Sequence, residues 1–309
     1  MSRKVSFSTS RFQLEYEIKE VLKIAKEIGA DAVDLDLWGP YVWKKDCPYK
    51  AYCLSDEETY TYFAELKKYA DDIGIEICQT HGQGEGFSDD ALQNERLIAT
   101  IKKDIIATAA LGAPVCVIHN TTTIRMGVEA DPAVMRDLSD KLFSSVIPFA
   151  KQYGVKIATE TFGDAANGKI PSPVVDFFGD INEFIGAYQR IKQNPELADN
   201  FTLCIDTGHS NKAMRFGNPT PADVIRRCGS DISVLHLNDN DTLTDQHKLL
   251  FGGNIDWNDV FDALDEIGYN GVYNMELNLA HFGEEIAIDY AAFAIKVLKN
   301  FLAKRYGEN

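Results

Sequence analysis

The stretch Gln152-Tyr153-Gly154-Val155-Lys156-Ile157-Ala158-Thr159-Glu160-Thr161 decides the fold of this chain. It begins at the end of a helical segment, passes through a glycine that tolerates the left-handed conformation of a helix C-cap, and continues as a short β-branched run. The run ends on a carboxylate, Glu160. The same order of helix, short apolar run and polar residue recurs on both sides, and it predicts alternating helices and strands.

Short apolar runs of this kind occur along the whole chain. The eight predicted strands are Val5–Thr9, Ala32–Leu37, Ile75–Thr80, Val115–His119, Val155–Thr161, Phe201–Asp206, Ile232–Leu237 and Val272–Leu277. Between them lie amphipathic segments such as Leu92–Leu111, where Leu97, Ile101 and Ile105 fall on one face and Lys103 falls on the other. This alternation predicts an α/β fold with a parallel sheet.

We expect a single (β/α)8 barrel, one domain over residues 1–309, because no Pro-rich linker or composition break divides the eight units. The alternative is an open doubly wound sheet, which normally has a glycine-rich turn after its first strand. Residues 6–12 contain no glycine. In a barrel the active site lies at the C-terminal ends of the strands, so the residues found there predict the chemistry.

The charge and composition of the chain limit the classes of molecule that it is expected to bind. The chain has 31 Lys and Arg against 47 Asp and Glu, a net charge of −16, which disfavours a nucleic-acid partner. We find no signal peptide and no run of about 18 apolar residues, so we expect a cytoplasmic protein without a membrane span. The cysteines form no C-x-x-C pair, which favours reduced thiols; they are Cys47, Cys53, Cys78, Cys116, Cys204 and Cys228.

Four successive strands end in metal-ligand side chains: Glu160, Asp206, His236 and Glu276. Several carboxylates buried at one mouth repel each other unless a cation neutralises them, so we predict one bound divalent ion. Two Glu, one Asp and one His favour Mn²⁺ first, with Zn²⁺, Co²⁺ and Mg²⁺ as alternatives, over a soft-metal thiolate site.

Most of the histidines also fall at strand ends. His81 and His119 follow the third and fourth strands, His209 follows the sixth, and Asp245-Gln246-His247 lies beyond the seventh. Only His281 lies elsewhere among the six histidines. We expect this group to face the same site.

The chain resembles the xylose isomerase-like TIM-barrel superfamily, which includes sugar isomerases and epimerases and the endonuclease IV type of DNA-repair enzyme. The segments that carry the resemblance are Glu160-Thr161, Cys204-Ile205-Asp206-Thr207-Gly208-His209, His236-Leu237-Asn238-Asp239, Asp245-Gln246-His247 and Gly252-Gly253-Asn254-Ile255-Asp256-Trp257. It implies that Glu160, Asp206, His236 and Glu276 hold one divalent ion and that the two glutamates are the acid and the base.

The interpretation that follows is a metal-dependent sugar isomerase or epimerase acting through an enediolate. Its substrate is a sugar or polyol, neutral rather than phosphorylated. The expected substrate-binding residues are His209, which would hydrogen-bond a substrate oxygen, together with His81, His119, Asp245, His247 and Trp38.

Several alternatives stay open. All nine ligand positions of the endonuclease IV pattern are present, which allows a phosphodiesterase with up to three zinc ions, although the neighbouring loops lack Arg and Lys. Ketose 3-epimerases often have an Arg where this chain has Thr242, so other isomerases and inosose-type isomerases or dehydratases are also candidates. A barrel that binds metal structurally or senses a sugar is a non-catalytic alternative, and a homo-oligomer is allowed by analogy.

Two loops bear on the substrate. Trp38, Tyr41 and Trp43 follow the second strand and form either an aromatic wall for a sugar ring or a loop that packs on its own barrel. The run Gly252-Gly253-Asn254 lies where barrels often bind phosphate, but no Lys or Arg follows it within a few residues. We therefore interpret this run as a turn.

Overall fold

The computed structural model describes residues 3–38, 54–165 and 171–307. Its strands are β1 (Val5–Ser8), β2 (Ala32–Asp36), β3 (Glu76–His81), β4 (Val115–Ile118), β5 (Lys156–Glu160), β6 (Phe201–Asp206), β7 (Ile232–His236) and β8 (Tyr273–Met275). They form an eight-stranded parallel sheet in the order β7-β6-β5-β4-β3-β2-β1-β8, and a parallel bridge between Leu237 and Met275 links its two ends. The predicted eight strands and the (β/α)8 barrel are confirmed, while a single domain over residues 1–309 stays a prediction.

Helices connect the strands on the outside of the barrel. They are α1 (Ile18–Glu27), α2 (Asp56–Ile73), α3 (Ala91–Ala110), α4 (Thr123–Met126), α5 (Pro132–Gln152), α6 (Ile181–Lys192), α7 (Pro195–Ala198), α8 (Thr207–Ala213), α9 (Pro221–Cys228), α10 (Trp257–Glu266) and α11 (Ala287–Tyr306). Short 3-10 turns lie at Phe12–Leu14, Phe177–Gly179, Met214–Phe216, Gly229–Asp231 and Glu284–Ile286.

Helix α2 shows how local sequence sets these boundaries. At its start, the Ser55 side chain accepts from the Glu58 backbone N–H, and the Glu58 side chain accepts from the Ser55 N–H, which forms a capping box. At its end, Gly74 adopts φ 72°, a left-handed conformation that a residue with a Cβ adopts only with strain. The chain therefore leaves the helix sharply and enters β3.

The barrel interior contains a small apolar cluster separate from the main core between strands and helices. Its residues are Val115, Val117, Ala158, Cys204 and Val234, all buried. Because side chains alternate across a strand, the residues two positions further along also point inward. Glu160, Asp206 and His236 stand at those positions on β5, β6 and β7, above this apolar floor. The strand period thus delivers three of the four predicted metal ligands to one place.

Other sequence expectations concern the thiols and the membrane. Cys78, Cys116, Cys204 and Cys228 are free and buried, and burial raises the pKa of the Cys204 thiol to about 12. Cys47 and Cys53 lie outside the described residues. Across residues 3–38, 54–165 and 171–307, no helix is both long enough and apolar enough to cross a bilayer.

We expect Leu298→Ala to lower the free energy of unfolding by about 2–5 kcal/mol, because the Leu298 side chain on α11 is fully buried and its removal leaves a cavity. The matched change Leu92→Ala, on α3 at a side chain that is 56% exposed, should change it by less than about 0.5 kcal/mol. Urea unfolding measures both. Equal effects would mean that α11 does not pack on the barrel as described.

Candidate active site

A cavity of about 860 Å³ opens at the C-terminal ends of the strands. The predicted site residues that line it are Trp38, His81, His119, Glu160, His209, Asp245, His247 and Glu276. The other two, Asp206 and His236, are fully buried and do not line the cavity. The structure therefore brings all ten predicted site residues to one end of the barrel, with two of them beneath the surface of the cavity.

Glu160 lies at the centre of this group. Four imidazole nitrogens approach its carboxylate: His236 Nδ1 at 3.1 Å, His119 Nε2 at 3.2 Å, His209 Nδ1 at 3.4 Å and His81 Nε2 at 3.5 Å. The side chain is only 1% exposed, so water cannot screen its charge. This carboxylate is therefore surrounded by imidazole groups that can compensate its charge.

The four predicted metal ligands converge. Glu160, Asp206, His236 and Glu276 each offer one ligand atom, and these atoms all lie within 4.8 Å of one another. His236 Nδ1 is 3.1 Å from Glu160 and 3.2 Å from Glu276. Neither oxygen of Glu160 and neither ring nitrogen of His236 has a hydrogen-bond partner of good geometry among the described residues. A group of three carboxylates and one imidazole that includes these unsatisfied buried atoms fits a hard or borderline divalent ion.

Without an ion, protons on the histidines balance the buried carboxylates. Burial by itself would raise the pKa of Glu160, but the charge of His236 and the close imidazoles of His119 and His209 hold it well below its usual range. Burial would lower the pKa of His236, yet nearby anionic groups, including Glu160 and Glu276, raise it well above its usual value. Burial raises the pKa of Asp206 to about 6, against the charges of His209 and His247. Protons therefore supply the positive charge that a metal ion would supply when bound.

Asp245 forms the outer side of the site. Its Oδ2 is 3.2 Å from His247 Nε2 and 3.5 Å from His209 Nε2, and its Oδ1 is 3.5 Å from Lys212 Nζ. Lys212 is only 2% exposed and also pairs with Asp164 at 2.9 Å. Burial would lower the pKa of His247, but Asp245 raises it to about 10. The negative charge of Asp245 is therefore shared by two imidazoles and one ammonium group.

The loop that presents Asp245 and His247 is anchored by Asp239. The Asp239 carboxylate accepts from the backbone N–H of Ile255 at 3.2 Å and from Trp257 Nε1 at 2.9 Å. Gly253 packs so tightly here that a Cβ would lie 2.2 Å from the Asn240 carbonyl oxygen. The close packing favours the turn interpretation of residues 252–254. His247 itself adopts φ 45°, a strained conformation for a residue with a Cβ.

Cationic side chains in the cavity wall are paired. Arg11 contacts Glu284, Arg125 contacts Glu85 at 2.6 Å, and Lys212 contacts Asp164 and Asp245. Within the described part of the wall, each Lys and Arg side chain is thus paired with a carboxylate. None of these three side chains is left unpaired for an anionic group on a ligand.

Aromatic rings form part of the wall. Trp38 lies over Gly84, where a Cβ would be 3.1 Å from the indole ring. Phe162 packs edge-on against His119, with ring centroids 5.2 Å apart, and lies nearly parallel to His209 at 6.1 Å. These rings present apolar surface beside polar groups, as sugar-binding sites do. Tyr41 and Trp43 lie outside the described residues.

Residues 22–300 match the family model described as xylose isomerase-like TIM barrel. The chain belongs to the xylose isomerase-like TIM-barrel family. The superfamily resemblance stated from the sequence is therefore confirmed.

Similar proteins agree with this family in fold. An uncharacterised protein of Methanocaldococcus jannaschii is 29% identical over 136 residues, an alignment that spans 43% of this chain and 40% of that protein. A crystal structure titled D-tagatose 3-epimerase-like protein superposes with a TM-score of 0.72 at 21% identity, covering 97% of each chain. A crystal structure of IolI with a bound zinc atom gives 0.70 at 18% identity, again covering 97% of each chain.

Sequence reasoning missed four residues of this xylose isomerase-like site. Asp34 contacts His236, Asn238 donates to Asp206 at 2.8 Å, Lys212 contacts Asp245, and Phe162 lines the cavity. A signal existed for Asp34, because a charged residue inside the apolar strand Ala32–Asp36 needs a buried partner. For Lys212 the only signal was its position three residues after His209.

We expect Asp206→Asn to weaken binding of Mn²⁺ and Zn²⁺ by more than about 100-fold, because it removes a charged ligand. Changes to residues that only contact a ligand typically cost up to about 100-fold, and loss of a ligand itself should cost more. Chelator competition measures the affinities. The control is Glu85→Gln, which alters a cavity carboxylate paired with Arg125 and should leave them within about twofold. Equal affinities for all three proteins would exclude Asp206 as a ligand.

Metal binding should release protons at neutral pH. The raised pKa of His236 keeps both ring nitrogens protonated in the metal-free chain, and the nitrogen that binds the ion must lose its proton. Affinity should accordingly rise with pH. Calorimetry in two buffers with different ionisation enthalpies measures the number of protons released. Identical heats in both buffers would show that His236 is already neutral or does not bind the ion.

Proposed function

We propose that this protein is a divalent-metal-dependent sugar isomerase or epimerase that acts through an enediolate, with Glu160 and Glu276 as its acid–base pair and Mn²⁺ as the native ion. One observation carries the proposal. Of the four converging ligand residues, only these two glutamates line the cavity, while Asp206 and His236 lie beneath it. A group that transfers a proton must reach the substrate, and only these two of the four do.

The two glutamates approach from different strands. Glu160 ends β5 and Glu276 directly follows β8, and both carboxylates meet at His236 Nδ1. A sugar bound above them would meet both carboxylates near the carbon next to its carbonyl. A bound divalent ion would polarise that carbonyl and stabilise the negative charge of the enediolate.

Neighbouring histidines control the protons of these carboxylates. Glu160 and Glu276 both have a lowered pKa, opposed by burial and caused by His236 and other imidazoles, so both are charged and able to accept a proton. Burial would lower the pKa of His81, but Glu160 raises it to about 9, which keeps a proton within 3.5 Å of Glu160. His247 Nδ1 lies 3.8 Å from Glu276 in the same way. One glutamate can therefore accept the proton from carbon, while the histidine beside the other, His81 or His247, would supply the proton that this second glutamate delivers; the proton on the first glutamate would then restore that histidine.

The substrate that this cavity fits is an uncharged sugar or polyol. Each cation in its described wall is already paired, so a phosphate group would have to break an ion pair to bind. Trp38 and Phe162 provide apolar surface for the carbon face of a ring. Structures with the same fold include proteins titled as 3-epimerases of ketoses, yet Thr242 stands where such enzymes often have an arginine. Other isomerases and inosose-type enzymes therefore belong in the test.

A second candidate is a metal-dependent phosphodiesterase of the endonuclease IV kind. It is favoured by two further groups with metal-ligand spacing, His81 with His119 and Glu160, and Asp206 with His209 and His247. Against it stand the net charge of −16 and Lys212, whose ammonium group already neutralises Asp245. A cytoplasmic location and a homo-oligomer stay predictions.

The test incubates the Mn²⁺-loaded protein in D₂O with a panel of ketoses, aldoses and inososes. We expect carbon-bound deuterium in at least one sugar, measured by NMR. Glu160→Gln and Glu276→Gln should each lower the exchange rate by about 10²–10⁴, the usual contribution of one acid or base.

The matched control is Glu183→Gln on α6, whose carboxylate pairs with Arg136 outside the cavity, and it should retain the wild-type rate. Nicking of abasic duplex DNA without exchange in any sugar would select the phosphodiesterase. Absence of both activities would favour a binding or sensing role.

A further inference from the structure

His236 has a second buried carboxylate beside it. Asp34 Oδ2, on β2, lies 3.2 Å from His236 Nε2, and both side chains are fully buried. The other ring nitrogen, Nδ1, faces Glu160 and Glu276. The imidazole therefore lies between Asp34 on one side and the two cavity glutamates on the other.

Two amide groups hold the Asp34 carboxylate in place. Asn274 Nδ2 on β8 and Gln79 Nε2 on β3 both donate to Asp34 Oδ2 at 3.1 Å. Ser6 Oγ on β1 donates to Asn274 Oδ1 at 2.8 Å, which fixes the amide with its NH₂ group toward Asp34. Side chains from β1, β2, β3 and β8 thus form one hydrogen-bonded network that ends at the ring of β7.

A fully buried carboxylate carries a large desolvation penalty unless it interacts favourably with the imidazole ring of His236. Asp34 has no exposure, and its Oδ1 has no hydrogen-bond partner among the described residues. No Lys or Arg ion pair with Asp34 occurs in the described chain, and the imidazole of His236 is the base in contact with it. An amide or hydroxyl group could accept one hydrogen bond here with a smaller desolvation penalty. The presence of a charged group at this position therefore needs a separate reason.

We propose that Asp34 is the positioning residue of the metal site. Its Oδ2, 3.2 Å from His236 Nε2, is placed to accept the Nε2 proton when the ion is bound, and this selects the ring orientation and tautomer in which Nδ1 binds the ion together with Glu160, Asp206 and Glu276. A carboxylate behind a ligand histidine also raises the basicity of the ligand nitrogen. The inference rests on the metal site of the proposed function but not on the sugar chemistry.

The test compares Asp34→Ala and Asp34→Asn with the wild type. We expect Asp34→Ala to weaken Zn²⁺ and Mn²⁺ binding about 10–100-fold, the usual effect of removing an outer-shell partner. Asp34→Asn keeps the size and one acceptor oxygen without the charge, so its loss should be smaller. Chelator competition on the folded proteins gives the affinities, and circular dichroism confirms the fold.

A second readout reports the ring directly. In ¹⁵N-histidine-labelled, Zn²⁺-loaded wild type, NMR should show His236 with the ion on Nδ1 and the proton on Nε2. Asp34→Ala should show a mixture of the two ring arrangements, which a purely structural role would not produce. If Asp34→Ala does not fold, Asp34→Asn carries the comparison.

The matched control is Asp104→Asn, a buried aspartate that accepts from Gln83 Nε2 at 3.0 Å and belongs to none of the described groups with metal-ligand spacing. It should lower stability and leave affinity within about twofold. Affinities within twofold of wild type for both Asp34 variants, or an unchanged His236 spectrum, would overturn the inference. Weakened binding together with no deuterium exchange in any sugar would reject the proposed function and keep the role of Asp34.

Discussion

The mutual repulsion of carboxylates around His236 governs the open end of this barrel. Glu160 and Asp34 are within 3.2 Å of its ring, Glu276 touches the same nitrogen as Glu160, and Asp206 completes the group. Negative charges this close in a poorly solvated interior require compensation. Protonated imidazoles provide it in the metal-free chain, and a divalent ion would provide it more effectively. The histidines at the strand ends lie close enough to these carboxylates to balance their charge.

The barrel satisfies that constraint through its strand period. Ala158, Cys204 and Val234 form the apolar floor, and the next inward position on each strand carries a ligand. The apolar layer below the site excludes solvent, and Asp206 and His236 are fully buried above it. The two glutamates reach the cavity. Removal of solvent strengthens each electrostatic contact at the site. The same geometry leaves Asp206 and His236 below the cavity and exposes the other two predicted ligands, Glu160 and Glu276, to it.

Charge balance also extends outward to the cavity wall. Asp245 is shared by His209, His247 and Lys212, and the other cations of the described wall face glutamates. A site arranged in this way discriminates by shape and hydrogen bonding rather than by net charge. The loop that carries Asp245 and His247 is anchored by Asp239, and it contains a strained backbone at His247.

The sequence by itself determined the alternating elements, the eight strands and the strand-end positions of the predicted ligands Glu160, Asp206, His236 and Glu276, because period-2 alternation and strand-end position are local properties of the chain. It could not reveal that Asp34 contacts His236 or that Lys212 pairs with Asp164 and Asp245. Those partners lie on elements far apart in sequence and meet only when the barrel closes. Tertiary structure alone decides which two of the four ligands reach the cavity, since depth within a barrel depends on the stagger of neighbouring strands.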